Sequence, residues 1–193
     1  MRAIALVSAA AVLLVVALLI PDADRLFSFH MLQHLLLIAV AAPLLALRRR
    51  VSPPPVAAWL AFVAVFLFWH WPVAFQWAAG NAATELIELG SILATAFLFW
   101  SAAFAADRLS AGARALFVMT AAVATDLPGV IMLFAPRAFC VMPGENAPAF
   151  GLTPLEDQQI AGLLMWVPAN LVFFVIATWL FSRWISPRPL VSS

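Results

Sequence analysis

Phe29-His30-Met31-Leu32-Gln33-His34-Leu35-Leu36-Leu37 opens an apolar run that reaches Leu47 and stops at Arg48-Arg49-Arg50. A run of about twenty apolar residues is what a helix needs to cross the hydrocarbon core of a bilayer. Read as helix, it carries His30 and His34 on one face, one turn apart. Met31, three residues before His34, lies at the edge of that face. Imidazole and thioether both bind transition metals, and a thioether suits Cu(I) in particular. The plainer reading is a pair of interfacial histidines bonded to backbone or water. The rest of the chain bears on the choice.

Runs of the same length recur. They cover Ala3 to Ile20, Val56 to Ala79, Ala82 to Ala105, Ala113 to Ala135 and Leu155 to Trp184. The sequence is 66% hydrophobic with 10% charged residues, and a soluble domain carries about 25% charged. Mean hydropathy is +1.06. The expected fold is all-α, a single transmembrane bundle over residues 1–193 with about six spans. The run 3–20 resembles a secretory leader after Arg2, but it is long for one and no clean small-residue cleavage site follows. An uncleaved first helix is therefore expected. Ser52-Pro53-Pro54-Pro55 and Gly80-Asn81 punctuate the chain, Asp126-Leu127-Pro128-Gly129 predicts a kink in the fifth run, and residues 136–154 form a long loop.

The arginines orient the bundle, because basic loops stay in the cytoplasm. With both termini inside, the cytoplasmic face receives Arg2, Arg48, Arg49, Arg50, Arg108, Arg114, Arg183 and Arg188, and the outer face only Arg25 and Arg137. His30, His34 and His70 then all fall toward the outer face. No basic stripe with interleaved aromatics is present, so nucleic acid is not an expected partner. The lone Cys140 excludes an internal disulfide and any two-cysteine metal motif.

Further candidates lie at the same level. His70 sits between Trp69 and Trp71, where an aromatic belt is its plain explanation. Asp126 lies about 18 Å along its helix from Arg114, and an ionisable residue at that depth is a functional candidate by default; capping of amides freed near Pro128 is the alternative. Glu88 is a possible support for a metal-bound histidine, although helix capping accounts for acidic residues so near a helix start. Gln33, Met132, Met142 and Met165 are possible contacts or relay groups, with packing the commoner role of methionine. Cys140 is a relay thiolate or a small core residue. Thr153 and Glu156 have capping-box spacing, and Asp157 and Gln158 follow in the first turn, the acidic group facing the outer end of the histidine site.

Together, His30-Met31-Leu32-Gln33-His34, Pro43-Leu44, Trp69-His70-Trp71-Pro72, Asp126 and Leu155-Glu156-Asp157-Gln158-Gln159-Ile160-Ala161-Gly162-Leu163-Leu164-Met165-Trp166 resemble the polytopic CtaG family of bacterial cytochrome c oxidase assembly factors. The resemblance runs from about residue 27 to 180. It implies a non-enzymatic protein of the bacterial plasma membrane that handles copper for a haem-copper oxidase. Its expected partners are oxidase subunits or a periplasmic copper donor, besides the lipid bilayer. The expected site holds Cu(I) on His30, His34, Met31, His70 and Asp126. A haem-binding electron-transfer protein is the competing reading, since histidines on neighbouring helices can ligate haem. A copper or proton transporter is the third; it would need polar residues in the cytoplasmic half, where the sequence offers little beyond Ser and Thr.

Overall fold

The computed structural model describes residues 26–48, 51–144 and 147–186, and these are helical with short connections. Helix α1 spans Phe27–Arg48. It is followed by α2, Pro55–Trp69, α3, Pro72–Ala79, α4, Ala82–Phe104, α5, Ala111–Phe134, and α6, Pro154–Ile185. Helices α1, α4, α5 and α6 are each long and apolar enough to cross a membrane, and α2 with α3 forms a fifth candidate bent by 75°. The expected first helix, residues 3–20, lies outside the described residues, so six spans and the terminal orientation rest on the sequence alone.

Local chemistry sets the boundaries. Asn81 caps α4 through its side-chain oxygen, which accepts from Ala83 N at 2.7 Å. Ser110 caps α5 in the same way. The capping box on α6 forms between Thr153 and Glu156, as their spacing predicts. Prolines begin α2, α3 and α6 at the first helical turn, where the missing amide costs nothing.

The third apolar run, expected as one span, is broken. After Trp69 the chain turns at His70 and Trp71, and Pro72 starts a new helix in a new direction. Hydropathy alone runs on through the break, which is why it reads as continuous. The kink expected near Pro128 does not divide α5, which stays helical through that residue. A neighbouring helix can hold a proline-bearing membrane helix in place. Here α6 packs so closely that a Cβ on Gly162 would come within 2.6 Å of the Gly129 carbonyl oxygen. Small residues at a crossing permit that approach.

Within α1, residues Leu37–Ala41 adopt a π-helical turn. In that register Ala42 N–H donates to Leu37 O, and Ile38 O faces Pro43, which has no N–H to give. The indole of Trp100, on α4, supplies the donor instead at 2.7 Å. Large side chains on the outer surface are mostly apolar, among them Val56, Leu116, Phe134 and Leu171, as lipid contact requires. One apolar core draws on all six helices.

The bundle has two chemically distinct ends. Arg48, Arg108, Arg114 and Arg183 gather at one, where Ser52 donates to the Asp107 carboxylate at 2.7 Å; that hydrogen bond lowers the Asp107 carboxyl below its ordinary value. The other carries the loop between α5 and α6. These are called the arginine end and the loop end below.

Candidate metal centre

One turn inside the loop end, α1 and α4 bring three side chains into contact. His30 Nε2 lies 3.4 Å from Glu88 Oε2, and His34 Nε2 lies 3.5 Å from Glu88 Oε1. Their ligating atoms fall within 4.8 Å of one another. All three side chains are buried, Glu88 completely. Adjacent donors on a tetrahedral ion bound at about 2.1 Å stand roughly 3.4 Å apart, which the two histidine–carboxylate distances match, each to its own Glu88 oxygen.

Position follows from several local devices. The i,i+4 spacing brings the two imidazoles side by side, with ring centroids 4.5 Å apart and planes tilted by 59°. Helix α1 has no cap of its own; Asp157 on α6 provides one, accepting from Phe27 N at 2.7 Å and Ser28 N at 3.0 Å. A carboxylate there also meets the positive end of the helix dipole. That clamp fixes the first turn of the helix that carries both histidines. Phe75, on α3, packs edge-on against His30.

His70 joins from the break between α2 and α3. Its Nδ1 lies 2.7 Å from Phe66 O, and a carbonyl can only accept, so Nδ1 carries the proton, which in the neutral ring leaves Nε2 its lone pair. The ring stacks on Phe66 at 4.0 Å and meets the His34 ring at 5.4 Å. Trp69 anchors the break to α4 by donating to Ser91 Oγ, which donates in turn to Glu88 O.

The four ring nitrogens of His30 and His34, His70 Nε2 and both Glu88 carboxylate oxygens find no hydrogen-bond partner among the described residues. Buried polar atoms are normally paired, and an uncompensated buried carboxylate costs several kcal/mol. A cation would engage one nitrogen of each of the His30 and His34 rings together with the Glu88 carboxylate. Two imidazoles with one carboxylate suit a first-row transition ion such as copper or zinc.

The other candidates are distributed differently. Met165 lines a cavity of about 30 Å³ together with His34 and His70. Asp126 does not join the histidines: its carboxylate accepts from the Asn170 amide at 2.5 Å, and its neighbour Thr125 faces the cavity. Met31 and Met132 pack in the apolar core, and Gln33 is buried with its carbonyl oxygen unpaired. Gln158 ties the loop down, accepting from Phe139 N and Cys140 N and donating to Met132 O. Cys140 and Met142 are buried within that loop, and burial pushes the Cys140 thiol up to about 12, far from a thiolate. Asp157 and Gln158 therefore build the frame around the site. The central place of Glu88 was legible only as a possible supporting role, because its distance from the histidines depends on how α4 packs on α1.

These helices define a multi-pass membrane protein with a buried imidazole–carboxylate cluster near one end. The chain belongs to the cytochrome c oxidase caa3 assembly factor family (Caa3_CtaG), whose model matches residues 48–186. The matched span includes His70, Glu88 and Asp126; His30 and His34 precede it. No curated protein and no solved structure matches the chain.

Proposed function

We propose that this assembly factor binds copper on His30, His34 and Glu88, with His70 as a further ligand, and delivers it to the oxidase from the outer half of the plasma membrane. The observation that carries the reading is the buried, unpartnered His30–His34–Glu88 set. Imidazole binds both copper states, and the Met165 thioether beside His34 and His70 favours Cu(I). The outer location rests on the arginine asymmetry, which puts the loop end outside. The role is binding and transfer, without catalysis.

Two features weigh against the alternatives. The cavity between His34 and His70 holds about 30 Å³, whereas pockets for ligands of drug or cofactor size run to roughly 300 Å³ or more, so haem does not fit between these two histidines. Toward the arginine end the site rests on stacked rings of Phe62, Phe99 and Phe173, an apolar floor that supports delivery from one side over transport.

Metal analysis of the purified protein tests the proposal. Wild type should carry copper in reducing buffer, and His30→Ala with His34→Ala should lose it while still accumulating in the membrane. Retained wild-type stoichiometry in the double variant, or a Soret band in the wild type, would overturn the reading.

A further inference from the structure

We infer that Pro43 and Trp100 are positioning residues for the metal centre. Together they hold α1 in its π-helical turn, and the additional residue in that turn swings the first half of the helix so that His30 and His34 face Glu88. This deepens the copper reading and rests on it for the ligands.

Spacing along α1 carries the inference. Two turns of α-helix take about seven residues, so side chains that face one neighbour recur at steps of three, four and seven. The second half of α1, Ala42–Arg48, packs on α4. Ala42 and Ala46, four residues apart, lie on its buried face. In the first half His30 and His34, again four apart, meet Glu88 of the same helix. From His34 to Ala42 is eight residues, which in a regular helix would point them about 80° apart. Leu35 and Met31, seven and eleven residues before Ala42, would then face α4 instead. The turn Leu37–Ala41 removes the mismatch, because Ala42 N–H donates to Leu37 O, one residue farther back than in an α-helix. Eight residues cover the rotation of seven, and the imidazoles come onto the α4 face.

Two groups keep the turn from relaxing. In an α-helix the Pro43 ring would press on the Ala39 carbonyl, four residues back. Relaxation would also give the Ile38 carbonyl to Ala42 N–H. The Trp100 indole N–H, 2.7 Å from Ile38 O, would lose its acceptor. Trp100 is fully buried, and a buried donor left without a partner is costly. Ile38 stands one turn after His34 and lines the small cavity beside it, so the turn borders directly on the site.

Variants that shift helix phase test the inference. Pro43→Ala with Trp100→Phe removes both restraints, and copper affinity should fall at least about tenfold, the scale on which groups that support a ligand act. Deleting Ala39 in that background should restore it. Ala42 N–H then donates to Leu37 O as a regular α-helical bond, with both halves of α1 in their native directions. Spin labels on cysteines replacing Leu32 and exposed Ile131 read the same rotation without metal. Their separation should change in the double variant and return to the wild-type value after the deletion. Pro43→Ala alone should show both changes in smaller measure, and it stands in if the double variant does not accumulate. The inference is overturned if either quantity keeps its wild-type value in the variants lacking the restraints, or if the deletion fails to restore both. A wild type that binds no copper sinks the functional proposal, while the label separation still decides whether Pro43 and Trp100 set the phase of α1.

Discussion

Glu88 has no exposed surface and two histidines at contact distance, yet neither carboxylate oxygen makes a hydrogen bond within the described residues. A carboxylate so placed is a liability to the fold without a cation and a ligand with one. Glu88→Gln keeps the shape and removes the charge, so the metal-free variant should be at least as heat-stable as wild type. Copper affinity should fall by at least about a hundredfold, beyond the range seen for groups that only support a ligand. Melting curves with and without copper check both, and an undiminished copper-induced shift would exclude Glu88 as a ligand. At this scale the sequence was informative where partners are close along the chain. His30 and His34 were legible because four residues of helix place them together. Asp126 was misplaced because its partner, Asn170, is 44 positions away, and depth in the membrane says nothing about which neighbour a carboxyl meets.

Helix α1 depends on a residue of α6 for its start. With no cap of its own, it begins where Asp157 accepts from Phe27 and Ser28. Asp157→Ala should destabilise the protein by about 1–2 kcal/mol, the usual cost of a lost N-terminal cap. Copper affinity should weaken as well, because His30 and His34 stand on the first two turns. Thermal unfolding in detergent with a parallel copper titration measures both effects; an unchanged affinity would show that the metal site does not depend on this clamp. The neighbouring Thr153–Glu156 box was legible from spacing alone, since both partners lie in one turn. The clamp by Asp157 spans 130 positions and becomes visible only once α1 and α6 are packed. The break at His70 had a local signal in Pro72, but the apolar composition on both sides concealed a change of direction that leaves hydropathy unaltered.

For the whole molecule, the decisive asymmetry lies between the two ends. Labelling with a membrane-impermeant maleimide reads it directly. A cysteine replacing exposed Arg137 at the loop end should react in intact spheroplasts, and one replacing Arg108 should react only in inverted vesicles. Cys140 should add little background, being buried with its thiol pushed up to about 12. The reverse pattern would turn the bundle over and place the site on the cytoplasmic side. The spans of α1, α4, α5 and α6 were legible from composition, because the length of an apolar run follows from the bilayer rather than from packing. The depth of the cluster has an electrical consequence. His30 stands three residues into α1, about 5 Å along an axis of roughly 33 Å, so a cation reaching it from the loop end crosses only a small part of the transmembrane voltage. At about 2.3 kcal/mol per charge for a full crossing of 100 mV, that part is worth about 0.4 kcal/mol. Occupancy of the site would therefore scarcely sense whether the cell is energised.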